Sequence, residues 1–145
     1  MKNTKNRGFT LIEIMIVLAI LSILYSIAAA NVMGLQTEAK VSRANGDLLT
    51  LKQALDSYIK NNSVCPKKDD YQRVLIMETP TIITGNLFDP FAKTMNTLYS
   101  FNVSGNKESY VVYSIGPNKN GDATVGNDGR VVTQGSAIFA TNGFD

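Results

Sequence analysis

The feature that most constrains this chain is a run of apolar residues near its amino terminus, from Phe9 to Met33. Glu13 is the only charged residue within it. As an α-helix the run spans roughly 37 Å, which exceeds the roughly 30 Å hydrocarbon core of a bilayer. A chain of 145 residues has too little other polypeptide to surround such a helix on all sides. The run therefore predicts a membrane-spanning helix over residues 9–33.

The charges that precede the run predict its orientation. Residues 1–8 are polar and include the cations Lys2, Lys5 and Arg7. Basic residues beside a membrane helix favour the cytoplasmic side. We therefore expect a single membrane pass, with the amino terminus in the cytoplasm and everything after Met33 on the opposite side.

An ordinary secretory signal peptide is the main alternative, with Ala28–Ala30 as its small-residue cleavage site. Two features count against it. The apolar run is longer than the apolar region of a typical signal peptide, which has roughly 7–15 residues. An acid near the start of the run, Glu13, also brings a signal peptide no advantage.

Glu13 needs a partner. A carboxylate inside a membrane segment is costly and is by default a candidate functional residue. A positive charge would offset this cost, but no Lys or Arg lies between Glu13 and Lys40. The partner must therefore come from another chain or from a newly made amino terminus.

The composition excludes several kinds of site. The chain has no His and only one Cys, which excludes Ser-His-Asp and Cys-His catalysis, His-ligated zinc and an internal disulfide. Its formal net charge is +2, without the strongly basic balance of a nucleic-acid-binding protein. The G-x-S-x-G and phosphate-loop motifs are also missing. We therefore expect neither catalysis nor nucleic-acid binding.

A second helical pattern follows the apolar run. Six apolar residues recur at spacings of three and four, which predicts an amphipathic helix over residues 34–62 that packs on its own domain. Asn61-Asn62-Ser63, followed by Pro66, predicts the end of this helix. The apolar stripe consists of Val41, Ala44, Leu48, Leu51, Leu55 and Tyr58.

Residues 63–145 predict a small head rich in β-structure. Three or four antiparallel strands are expected, and with the long helix they predict an α+β fold. The turn-rich segment 63–96 and the Gly-, Asn- and Asp-rich segment 116–129 are expected to lack strands. The candidate strands are residues 97–103 and 109–115, which form a hairpin around the turn Ser104–Lys107, and residues 130–133 and 137–140.

Core or sheet-face positions are expected for the aromatic residues, and a partly buried position for the single Cys. Cys65 stands at the predicted helix end, where a small and partly buried filler is the expected role, with pairing between chains as the alternative. No basic groove accompanies the aromatic side chains, so a nucleic-acid platform is not expected. The aromatic residues concerned are Tyr99, Phe101, Tyr110 and Tyr113.

The amino-terminal motif resembles a known family. Gly8-Phe9-Thr10-Leu11-Ile12-Glu13, after a basic leader and before an apolar helix, is similar to the class III signal of type IV pilins and type II secretion pseudopilins. The resemblance implies that a prepilin peptidase cuts after Gly8 and methylates the new terminus at Phe9. It also implies that Glu13 neutralises a neighbouring subunit's terminal amine during filament assembly. The implied parts are a leader (1–8), a membrane and assembly helix (9–33), an amphipathic helix (34–62) and a head (63–145).

Two segments of the head narrow the resemblance to the major pseudopilin of type II secretion. Asp89-Pro90-Phe91 resembles that group's Asp-Pro-aromatic turn, and residues 113–118 resemble its Tyr-x-Ser-x-Gly-x-Asp segment. The pattern is incomplete, because Asn118 stands where an acid is usual and the tail lacks tryptophan. A single Cys also matches poorly the many type IV pilins that close a carboxyl-terminal loop by a disulfide.

This resemblance implies a structural subunit in the inner membrane of a bacterium, with a periplasmic head. Its implied partners are further copies of itself, minor pilin-like subunits, the prepilin peptidase and an inner-membrane assembly platform. The filament would be a secretion pseudopilus. The alternatives are a true type IV pilus for adhesion, motility or DNA uptake, and a membrane-tethered extracytoplasmic enzyme or binding domain.

The segment 116–129 is a candidate calcium site. Asn118, Asn120 and Asp122 alternate, which can bring three oxygen side chains to one centre, and Asp128 can add a second carboxylate. The major pseudopilins that this segment resembles bind calcium in the corresponding loop. The alternative is a solvated loop of tight turns, because these residue types are also the ones that turns require.

Overall fold

The computed structural model describes residues 8–78, 81 and 83–144. The cations Lys2, Lys5 and Arg7, from which the membrane orientation was predicted, lie outside the described residues. The chain divides into two compact units, Met1–Thr37 and Glu38–Asp145.

The first unit contains the amino-terminal part of helix α1, Leu11–Asn62. Its large apolar side chains are exposed, with Phe9, Leu11 and Met33 at 87%, 79% and 76%. By length and composition α1 can cross a membrane, and none of its most apolar window is buried within the described residues. A fully apolar helical surface without protein cover is what a membrane or a neighbouring helix would bury.

In the second unit, α1 packs on the head through the predicted stripe. Ala44, Leu48, Leu51 and Leu55 are each at most 1% exposed, and they contact the aromatic core of the sheet. Burying each leucine contributes about 1.5–3 kcal/mol of transfer free energy. The helix ends at Asn62, as predicted, and the next residue, Ser63, adopts a left-handed φ of +58°.

The larger sheet has three antiparallel strands in the order β1-β2-β5: β1, Ser100–Val103; β2, Tyr110–Ser114; and β5, Ile138–Thr141. The central strand, β2, is buried along its whole length. Its pairing with β1 confirms the predicted hairpin, and Lys107 N donates to Ser104 O (2.9 Å) in the predicted turn.

A second sheet corrects the expectation for segment 116–129. Its strands are β3, Asp122–Val125, and β4, Val131–Gln134, which pair antiparallel. β3 lies inside the segment that was predicted to be a loop throughout. It forms because Ala123, only 1% exposed, packs against Val111 and Tyr113 of β2. Four residues among glycines give too short a pattern to predict a strand from sequence.

A short helix, α2 (Tyr71–Met77), was not predicted, because segment 63–96 was expected to be rich in turns. Its own residues Tyr71, Gln72 and Leu75 are buried. The side-chain amide of Gln72 pairs with the backbone of Leu87 as a strand residue would. Its Oε1 accepts from Leu87 N (2.8 Å) and its Nε2 donates to Leu87 O (3.0 Å). A long-range bond of this kind leaves no local trace in the sequence.

Two tyrosine hydroxyls align α1 with the larger sheet. Tyr99 donates to Asp47 Oδ2 (2.9 Å), and Tyr110 donates to Asp56 Oδ1 (2.6 Å). Each carboxylate also meets a cation one helical turn away, Arg43 at 3.5 Å and Lys52 at 2.7 Å respectively. Burial, and then the hydrogen-bonded carboxylate, raises the pKa of each tyrosine above its ordinary value.

The expected core residues are confirmed. Tyr99, Phe101, Tyr110 and Tyr113 are all at most 8% exposed. Cys65 is 6% exposed, and burial raises the pKa of its thiol to about 11, so it is an inert filler of the head.

Candidate functional site

The amino-terminal turn of α1 forms a reciprocal cap. Thr10 N and Thr10 Oγ1 both donate to Glu13 Oε2 at 2.8 Å, and Glu13 N donates back to Thr10 Oγ1 at 3.3 Å. This is the capping box of a Thr-x-x-Glu sequence, which satisfies donors that have no partner within the helix. Glu13 was predicted as a functional residue and Thr10 was not, although the Thr-x-x-Glu spacing that indicates a cap is present in the sequence.

The cap defines what Glu13 can do. One carboxylate oxygen, Oε2, is engaged within the chain, whereas Oε1 accepts no hydrogen bond from any described residue. The carboxylate lies in the first helical turn, where the helix dipole favours negative charge. Glu13 is therefore fixed in position with one oxygen available to a donor from another molecule.

The predicted processing residues precede this cap. Phe9 is 87% exposed, and a side-chain carbon built on Gly8 would meet no described atom within 4 Å. Among residues 8–78, 81 and 83–144, nothing therefore crowds the Gly8 side of the Gly8–Phe9 peptide bond.

In the head, Asp89 joins the two segments on which the narrower resemblance was based. Its Oδ1 accepts from Phe91 N (2.9 Å) and Ser114 Oγ (2.7 Å), and its Oδ2 accepts from Ile115 N (3.0 Å). The residue is only 8% exposed, and three donors compensate the cost of burying a carboxylate. From the sequence, Asp89 was identified only as part of a motif, without a role of its own.

Beyond β2, the turn that starts at Gly116 closes on Ser136. Gly116 has φ of +70°, and a side-chain carbon there would lie 1.7 Å from Ser136 O, so only glycine fits. Asn118 N donates to Ser136 Oγ (3.1 Å), and Asn120 Oδ1 accepts from Ser136 N (3.2 Å). Two of the predicted calcium residues thus take part in a protein hydrogen-bond cluster.

The structure does not bring the four predicted calcium residues to one centre. Asp122 Oδ1 accepts from Tyr113 Oη (2.6 Å), whereas Asp128 Oδ1 accepts from Arg130 N (3.0 Å) in the β3–β4 turn. Asp122 pairs with Gln134 at the opposite end of that hairpin from Asp128. Within the described part of the chain, no three His, Cys, Asp or Glu side chains come close enough to hold a metal ion. In this arrangement Asp122 and Asp128 do not face a common centre, and calcium binding by the predicted set stays a prediction.

Comparison with known proteins gives two family matches that together span most of the chain. The model of the prokaryotic N-terminal methylation motif matches residues 3–29, and the model of type II secretion system protein G matches residues 31–134. No solved structure was found to match the chain.

Curated relatives carry the name type II secretion system core protein G. The Pseudomonas aeruginosa protein is 31% identical over 146 residues, covering 88% of this chain and 98% of the relative. The Vibrio cholerae protein is 40% identical over 75 residues and the Pectobacterium carotovorum protein 37% over 78 residues. The latter two matches cover 52% and 54% of this chain and 51% and 49% of those relatives, so there the chain spans about half of their length.

Proposed function

Because the chain belongs to the type II secretion system protein G family, we propose that it is the repeating subunit of a pseudopilus, a pilus-like filament that supports protein export across the outer membrane. The family is one of structural subunits and not of enzymes. The observation that carries the proposal is the succession, in one chain, of the methylation motif and the protein G domain.

The proposal assigns the exposed apolar part of α1 two successive environments. In the free subunit it spans the inner membrane, with the head in the periplasm. In the filament the same surface packs against the helices of other copies. The exposure of the large side chains between Phe9 and Leu35 supports both states, because either environment removes them from water.

Glu13 provides the assembly contact in this proposal. Prepilin peptidase cleaves after Gly8 and methylates the amine of Phe9. The terminal ammonium of one subunit then pairs with Glu13 of its neighbour, which offsets the cost of a carboxylate in an apolar environment. The capped geometry supports this role, because Oε1 stays available while Thr10 holds Oε2. Minor pilin-like subunits and an inner-membrane platform are the further partners.

Deletion of the gene tests the function. We expect loss of exoprotein secretion, with surface pili intact, and restoration of secretion by the wild-type chain. Loss of surface pili with normal secretion would instead indicate a true type IV pilus subunit. If the deletion changes neither, the membrane-tethered binding domain becomes the better interpretation.

A further inference from the structure

A basic surface lies on the head where α1 enters the second unit. We define it as Lys40 and Arg43 of α1 with Lys93 and Met95 of the loop 90–96. These four residues line one open cavity of about 660 Å³. Its acidic lining residue, Asp89, is buried and accepts three hydrogen bonds from within the head.

Two of these cations are uncompensated. Arg43 pairs with Asp47 at 3.5 Å, whereas the exposed Lys40 and Lys93 have neither an ionic nor a hydrogen-bond partner among the described residues. Charges left free at the rim of a cavity favour an anionic partner.

The loop also presents an apolar tip. Its base is closed by the bond from Asp89 N to Thr97 O (2.9 Å), and Asn96 turns the chain with φ of +71°. Met95 is 92% exposed as a result. An exposed apolar tip beside lysines is the pattern of surfaces that enter the boundary between lipid headgroups and acyl chains.

The position of the surface along the chain favours a bilayer as its partner. Lys40 follows Met33 by seven residues, at most about 25 Å of extended chain. A head tethered so closely to a membrane segment meets that membrane at high effective concentration. This step depends on the membrane anchoring included in the proposed function.

We propose that the basic surface binds anionic phospholipid headgroups of the bilayer in which the subunit is anchored. Lys40 and Lys93 contact the headgroup phosphates, and Met95 enters the headgroup layer. The head of an unassembled subunit then rests on the membrane, and it must leave the membrane when the subunit joins a filament.

The experiment places a fluorophore beside the tip in the full-length chain. Thr94→Cys is labelled with an environment-sensitive dye, and Val132→Cys, on exposed β4, is the matched control position. The native Cys65 is buried, so the introduced thiol is the one labelled. Both proteins are reconstituted in vesicles of phosphatidylcholine alone and in vesicles with phosphatidylglycerol added.

We expect a blue shift and quenching by headgroup-labelled lipid at position 94 only, in the anionic vesicles only, with reversal at high salt. Each lysine near an anionic surface contributes about a five-fold factor, so Lys40→Gln with Lys93→Gln should lower the bound-to-free ratio of the head about 25-fold. The control pair Lys60→Gln with Lys67→Gln removes the same charge elsewhere and should leave the ratio unchanged.

Equal signals in neutral and anionic vesicles, or insensitivity to the Lys40 and Lys93 changes, would overturn the proposal while leaving membrane anchoring intact. A signal that depends on protein density at fixed lipid composition would assign the surface to a second copy instead. Extraction of the chain by alkaline carbonate would contradict the anchoring itself, and the inference would fail with it.

Discussion

At the scale of single residues, the proposed function depends on a few atoms around the first turn of α1. Thr10 and Glu13 bind each other reciprocally, so the carboxylate has a set position before any neighbour arrives. A preorganised acceptor loses less conformational entropy when it binds a partner than a freely rotating side chain. In the proposed function, Thr10 is therefore a positioning residue for the assembly contact of Glu13.

The mature protein should begin at Phe9 with an N-methyl group. The Gly8–Phe9 junction matches the class of signal that prepilin peptidase processes, and residues 3–29 match the methylation motif. Mass spectrometry of the protein isolated from membranes measures the terminus directly. A chain that starts at Met1 or Asn31 would contradict the processing step and weaken the filament proposal.

Glu13→Ala should insert into membranes at least as well as the wild type but assemble slowly or not at all. Removing the carboxylate avoids a cost of a few kcal/mol in the membrane and also removes the partner of the neighbouring terminal amine. Membrane fractionation and filament yield measure the two effects separately. Glu38→Ala is the matched control, since this exposed acid lies beyond the apolar run. Normal filament formation by Glu13→Ala would refute the assembly role.

At the scale of elements, the head is held together by polar groups that cross from one element to another. Asp89 bonds to the end of β2, and Tyr99, just before β1, and Tyr110 of β2 bond to carboxylates on α1. Buried polar bonds of this kind set the relative position of elements, because misplacing them leaves unsatisfied groups in the core.

Asp89→Asn should lower the free energy of unfolding by about 1–3 kcal/mol. An amide has a single oxygen, so it cannot accept from Phe91 N, Ser114 Oγ and Ile115 N as the carboxylate does. Chemical denaturation of the full-length protein in detergent measures the loss. Asp69→Asn, on an exposed turn, should change little. Equal stability of the two variants would show that the Asp89 contacts do not anchor the turn.

The head should lose stability as the pH rises above about 10. The pKa values of Tyr99 and Tyr110 are raised in the folded state from their ordinary value of 10.0, mainly by burial. Above pH 10 the unfolded chain therefore binds fewer protons than the folded one, so the free energy of unfolding falls with pH.

Comparing Tyr110→Phe with the wild type isolates the contribution of the Tyr110 hydroxyl to this pH dependence. The variant should be less stable at neutral pH, because the bond to Asp56 is lost. Above pH 10 its free energy of unfolding should fall less steeply than that of the wild type, and the two slopes should differ by up to about 1.4 kcal/mol per pH unit. Thermal melts between pH 8 and pH 11 measure both effects. Parallel curves for the two proteins would contradict the assignment.

For the molecule as a whole, the two units differ in the surface that they expose. The first exposes apolar side chains along a helix, and the second buries a core between α1 and two small sheets. One chain can therefore be anchored in a membrane or packed in a filament through one unit, while the other unit stays folded in water.

Calcium binding by Asn118, Asn120, Asp122 and Asp128 stays a prediction. It requires rearrangement, since Asp122 and Asp128 lie at opposite ends of the β3–β4 hairpin. If calcium binds, a free calcium concentration of about 100 times the dissociation constant raises the free energy of unfolding by roughly 2.7 kcal/mol. The melting temperature then rises by several degrees. Asp122→Ala should abolish that shift. Identical melts in calcium and in excess chelator would contradict calcium binding by segment 116–129.

From the amino-acid sequence we could predict the long helix, its apolar and amphipathic parts, the β1–β2 hairpin and the family resemblance. These features repeat over many residues or are contiguous motifs, so each can be identified from local pattern alone. Glu13 was also identifiable, because a charge within an apolar run needs no structure to be noticed.

Three short segments, α2, β3 and the turn at Asp89, became apparent only from the tertiary structure. α2 is stabilised by the bonds of Gln72 to Leu87, β3 by the packing of Ala123 on β2, and the Asp89 turn by donors from the end of β2. Each is too short a segment for its own residues to specify its conformation, and it acquires that conformation from partners distant in sequence. Other long-range bonds engage Asn120 with Ser136 and Asp122 with Tyr113, which residue spacing alone could not show.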